Sequence, residues 1–190
     1  MFILYALVAG VIVGALGGGR LMRLADLRLH WAPLILGGFL VQLILFTDAV
    51  AARIGAAGPP LYVASTILVA VAVVRNVRVP GVAVIAVGAA SNLAAILANG
   101  GYMPASPSAL SSLGKSAPVI YSNSAVVPAP ALEWLTDRFA LPVWVPFANV
   151  FSIGDVLLGV GVALLIAAAM LGGTAGMRGR GAGAQLPLSS

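Results

Sequence analysis

Residues 151–173 read FSIGDVLLGVGVALLIAAAMLGG, and the nature of the fold turns on what that stretch can be. Ser152 followed three residues later by Asp155 has the spacing of a capping box, in which the hydroxyl and the carboxylate each accept from a backbone N–H at a helix start. Beyond Asp155 no charged side chain occurs until Arg178. An apolar helix of about 20 residues, rising about 1.5 Å per residue, matches the roughly 30 Å hydrocarbon core of a bilayer. The stretch predicts a membrane-spanning helix over 152–172.

Four further stretches have the same character. Segment 2–19 carries no charge until Arg20, and its cations follow the apolar run, whereas a signal peptide places them before it, so an uncleaved span is expected. Trp31, at an interface position, leads 31–51, which is interrupted only by Gln42 and Asp48. Gly58-Pro59-Pro60 suits the first turn of a span over 59–75. Pro80 opens the span 80–98, and Asn99-Gly100-Gly101 closes it.

The whole chain agrees with this pattern: 61% of residues are hydrophobic, 8% are charged and the mean hydropathy is +1.09. Soluble domains carry about 25% charged residues, so a water-soluble fold is not expected. The expected fold is all-α: a polytopic transmembrane bundle of five spans forming a single domain over 1–173. A long outer loop follows over 99–151, and the Gly-rich tail 174–190 is expected to be disordered and cytoplasmic.

Charge sets the orientation. Arg20, Arg23, Arg28, Arg75, Arg78, Arg178 and Arg180 fall on one side of these spans, and Arg53, Lys115 and Arg138 on the other. The arginine-rich side is expected in the cytoplasm, which puts the N-terminus outside. The net charge of +5 does not point to nucleic acid, because the cations are scattered between apolar runs and not ranged along one stripe. The expected partners are the bilayer itself and anionic lipid headgroups at the cytoplasmic face, together with a homo-oligomer or a membrane-protein partner.

With no cysteine and one histidine, His30, thiolate chemistry, Cys-based metal sites and a Ser-His-Asp triad have little to build on. No cofactor, metal or catalytic residue is expected. Within the outer loop, Pro130 to Phe139 (PALEWLTDRF) places Leu132, Leu135 and Phe139 on one helical stripe, and a short interfacial helix is expected there. The following LPVWVPF is too short to cross a membrane and is expected to fold back on the bundle.

Polar residues inside spans matter because an amide in hydrocarbon must find a partner. Gln42 and Asn92 lie eleven and twelve residues into helices that start on the same side, so they are expected at one depth and able to pair. Asn99 is nearly two turns beyond Asn92, and Asp155 enters from the same outer side. Gln42, Asn92, Asn99 and Asp155 thus form a candidate ligand-binding vestibule, or else an interhelical hydrogen-bond hub with Asp155 capping its helix and pairing with Arg138 or Lys115. Gly10, Gly14 and Gly18 recur every four residues and are expected to form a helix-packing face.

Three pieces, GGRLMRLADLRLHW (18–31), SNLAAILANGGYMP (91–104) and PFANVFSIGDVLL (146–158), resemble a domain-of-unknown-function family of small bacterial multi-pass membrane proteins. The most specific parts are the run Asn99, Gly100, Gly101, Tyr102, Met103, Pro104 and the run Phe151, Ser152, Ile153, Gly154, Asp155. The resemblance implies a bacterial inner-membrane location and no particular reaction. The favoured function is a non-enzymatic accessory or scaffold protein; the alternatives are a small transporter or channel for a cation or polar solute, and a membrane enzyme on a lipid-linked substrate.

Overall fold

The computed structural model describes residues 2–114 and 124–173; Lys115, Arg178, Arg180 and the 174–190 tail lie outside the described residues. The chain is mostly helical. Among the described residues the α-helices are α1 (Phe2–Leu16), α2 (Ala32–Leu45), α3 (Asp48–Ile54), α4 (Gly58–Arg75), α5 (Val82–Ala98), α6 (Pro107–Ser112) and α7 (Ile153–Leu171). The continuous helical segment Asp48–Arg75, 28 residues, and α7, 19 residues, are long and apolar enough to cross a membrane, whereas α1, α2 and α5 are shorter apolar helices.

The helices pack in the order α2, α4, α5, α7, α1. Small residues set the two closest approaches. On α1, a Cβ at Gly10 would come within 2.8 Å of the Ala163 carbonyl, and one at Gly14 within 2.7 Å of Met170 Sδ. Gly18 departs from that face: its φ is +79°, a Cβ there would meet open space, and it ends the helix. The Gly18 N–H bonds to Ala15 O at 2.9 Å and the Gly19 N–H to Gly14 O at 2.8 Å, the paired closure that a left-handed residue makes after a helix. Between α5 and α7, Gly88 lies against Gly154 O and Gly161 against Gly81 O, so the two helices run antiparallel along a seam whose contacts are seven residues apart on each side.

The expected span 31–51 is broken. Phe46 and Thr47 leave the helix, and α3 starts afresh at Asp48. Thr47, in an extended conformation, turns its hydroxyl back to the Ile44 carbonyl at 2.8 Å, and Asp48 stands in the first turn of α3, where its charge suits the helix dipole.

The expected outer loop, 99–151, also differs from expectation. In place of an amphipathic helix, residues 130–139 hold one 3₁₀ turn, Glu133–Leu135, followed by extended chain. Backbone pairing outcompetes the helical stripe: Asp137 N–H donates to Pro104 O at 2.9 Å, and Ser106 N–H donates to Asp137 O at 2.9 Å. Two-residue strands stitch the rest, with β1 (Met103–Pro104) parallel to β2 (Ser124–Ala125) and β3 (Phe139–Ala140) antiparallel to β4 (Val150–Phe151). Leu132 and Phe139 of the expected stripe are exposed, at 50% and 47%, and so is Trp134 beside them, at 73%. The 141–147 segment touches the bundle through the Tyr5 hydroxyl, which donates to Pro146 O, while Trp144 remains 81% exposed.

Buried clusters mark both ends of the bundle. Leu45, Tyr62, Ala95, Ile96 and Met103 form one, and Val69, Val73, Val79 and Val82 the other. Met103 belongs to the first because α7 begins level with Asn92 and not with Ala98. The last turns of α5, about 10 Å of helix at 1.5 Å per residue, are thus covered by the segment that joins α5 to α7.

Candidate functional site

The site forms where α7 begins. Ser152, wholly buried, accepts the Asp155 N–H at 3.0 Å, and Asp155 Oδ2 accepts the Ser152 N–H at 3.0 Å, so both bonds of the capping box are present. Asn92 of α5 completes the ring: its Nδ2 donates to Asp155 Oδ1 at 2.8 Å, and its Oδ1 accepts from the Ser152 hydroxyl at 2.9 Å. A Cβ on Gly154 would overlap Asn92 Oδ1. Glycine at 154 is what lets the Asn92 amide reach the helix end.

Gln42 stands elsewhere. Its Nε2 lies 3.3 Å from both Ser65 Oγ and Thr66 Oγ1 of α4, because α2 packs on α4 while Asn92 belongs to the α5–α7 pair. Asn99 stands apart from the ring and clamps the segment between α5 and α7: its Nδ2 donates to Ala95 O and Ala131 O, and its Oδ1 accepts the Ala131 N–H at 2.9 Å. Thus the four residues expected to share a vestibule split among three places. Arg138, an expected partner of Asp155, pairs instead with Glu133 at 3.4 Å and lies over the Trp134 ring.

Gly100 and Gly101 turn the chain out of α5 with φ of 70° and 91°, and Gly101 N–H closes on Ile96 O at 2.9 Å. A Cβ at Gly101 would lie 2.6 Å from Pro59 Cβ, so this turn also seats the start of α4. From there Met103 and Pro104 lead to Asp137, whose burial the sequence does not foretell. Its side chain is 7% exposed, Oδ2 receives the Ser124 hydroxyl at a long 3.5 Å, and Oδ1 has no hydrogen-bond partner among the described residues. Burial pushes this carboxyl up to about 7 from 3.8; the charge of Asp155 adds to that rise and the Ser124 hydroxyl opposes it. In the sequence Asp137 reads as one polar residue of an exposed helix face. The signal that would have found it, proximity to Asp155 and to the 104–106 backbone, is purely long-range.

Among the described residues the arrangement is therefore a satisfied polar ring on α5 and α7 beside one unsatisfied buried carboxyl from the segment that joins them. No group of three or more His, Cys, Asp or Glu placed to hold a metal occurs among the described residues. A family model described as a family of unknown function, DUF5317, matches residues 26–167. No curated protein and no solved structure matches the chain.

Proposed function

This chain belongs to DUF5317, a family of unknown function, and from that premise we propose that it is a five-span membrane protein of accessory or scaffold kind, without catalysis of its own. In this reading α1, α2, α4, α5 and α7 cross the bilayer of a bacterial inner membrane, with the N-terminus outside and Arg20, Arg23, Arg28, Arg75 and Arg78 in the cytoplasm. Large apolar side chains that face outward, such as Leu36 at 69% and Leu43 at 70% exposure, then meet lipid. Reporter fusions should place residue 77 inside and residue 106 outside; both in one compartment would end this reading.

The observation that carries the scaffold function is the closed ring of Asn92, Ser152 and Asp155. Each polar atom there is engaged by protein, so the ring locks α7 to α5 and holds the start of α7 below the folded outer segment. The outer segment, with Trp134 and Trp144 exposed, is the surface offered to a membrane-protein partner or a second copy. Asp155→Ala strips acceptors from both Ser152 N–H and Asn92 Nδ2. A structural lock predicts a large loss of thermal stability in detergent and no solute flux by the wild type in proteoliposomes. Flux by the wild type that the variant abolishes while staying folded would favour transport.

That second reading, a small transporter for a cation or polar solute, is favoured by Asp137 alone. A buried carboxyl with a free oxygen, set near Asp155, is a group that a proton or cation would satisfy. Gln42 and Asn99 add nothing to such a path, since each is engaged elsewhere.

A further inference from the structure

Where α4 ends and α5 begins, a groove of about 450 Å³ is lined by Trp31, Val71, Val74, Arg75, Val77 and Arg78. Asn76, 3% exposed, builds it. Its Oδ1 accepts the His30 N–H at 2.7 Å, and its Nδ2 donates to His30 O at 2.8 Å and to Ala72 O at 2.7 Å. The segment before α2 is thereby stapled to the end of α4. Trp31, next in the chain, is held at φ 59° and ψ 29°, a left-handed conformation that costs a non-glycine residue roughly 1 kcal/mol or more, and stands half exposed as one wall.

Arg75 and Arg78 are both exposed, and neither has an ion-pair or hydrogen-bond partner among the described residues. Two unspent guanidiniums thus border a wall of valines with an indole at its edge. A phosphodiester anion suits the guanidiniums, and an acyl chain suits the valines; a soluble phosphate would leave the apolar wall unused. Trp at the boundary is where an amphipathic ring settles between headgroups and hydrocarbon.

We propose that this groove binds an anionic phospholipid, its phosphate on Arg75 and Arg78 and its acyl chain along Val71, Val74 and Val77, in a pocket prearranged by the Asn76 clamp on His30. The inference rests on the multi-pass reading and narrows its general lipid contact to one place.

The test uses the full chain in nanodiscs of phosphatidylcholine, with and without phosphatidylglycerol, followed by native mass spectrometry of retained lipid. Wild type should retain phosphatidylglycerol over phosphatidylcholine on the order of tenfold or more, the preference expected of two arginines at an anionic surface. Arg75→Gln with Arg78→Gln should remove the preference without shifting the unfolding temperature in phosphatidylcholine, since neither side chain supports the fold. Arg20→Gln with Arg28→Gln, an equal charge change on the same side, should leave it intact. Equal retention of the two lipids by wild type, an equal loss in the Arg20/Arg28 variant, or displacement by millimolar inorganic phosphate would overturn the site. Failure to enter phosphatidylcholine discs at all would instead defeat the multi-pass reading, and this site with it.

Discussion

Replacing Asp137 by Asn should change how stability depends on pH. In the folded chain the carboxyl is protonated up to about 7, against 3.8 for the free side chain. The folded state therefore holds a proton that the unfolded state has already released between those values. Stability linked to Asp137 is complete below about pH 4 and is lost as the pH climbs through about 7. At about 1.4 kcal/mol per pH unit, the full crossing is worth on the order of 4 kcal/mol. Asn has the shape of the protonated acid and cannot ionise, so Asp137→Asn should abolish that slope. Its amide brings a donor to the position where Oδ1 finds no partner among the described residues, which costs about 1–3 kcal/mol at every pH. The variant should thus be less stable than wild type at about pH 4 and more stable at about pH 8. Thermal unfolding in detergent micelles across about pH 4 to 8 measures this. A wild-type midpoint that stays level or rises over that range, or a variant with the wild-type slope, would refute the reasoning.

Two comparisons test the packing. Asn92→Leu leaves Asp155 Oδ1 without its donor and the Ser152 O–H without its acceptor and should cost about 2–3 kcal/mol, whereas Gln42→Leu should be near neutral, because Ser65 and Thr66 keep their 2.8 Å bonds to Tyr62 O; denaturation of the two variants in the same detergent ranks them. Gly154→Ala should push α7 from α5 and lower the unfolding temperature, whereas Gly37→Ala, in α2 with open space at the Cβ position, should gain about 0.5–1 kcal/mol. The same thermal scan reads both, and a neutral Gly154→Ala would show that the seam is looser than the geometry implies.

What could be read without coordinates was local. Ser152 and Asp155 lie three residues apart, so the capping box is visible in the letters, and so is the Asn-Gly-Gly exit from α5. Gly10 and Gly14 recur at helical spacing, but the same spacing extended to Gly18 misleads, since periodicity does not say where a helix stops. Residues 130–139 carry a helical stripe that the fold overrides with backbone bonds to 104 and 106, partners more than twenty residues away. Depth arithmetic placed Gln42 and Asn92 level with each other, yet depth carries no information on which helices are neighbours. Asn76 and Asp137 were invisible for the same reason, as each acquires its meaning from a segment distant in sequence.

The order of the helices has one more consequence. Helices α4, α5 and α7, with 18, 17 and 19 residues, occupy the middle of the row, while α2 with 14 residues and α1 with 15 form its two flanks. At 1.5 Å per residue the flanks reach only about 21–23 Å, well short of the roughly 30 Å of hydrocarbon they would face. On the five-span reading, hydrophobic mismatch is greatest at these two flanks, so the surrounding bilayer must thin most there and shorter acyl chains should gather. Two such copies would relieve part of that elastic strain by meeting flank to flank.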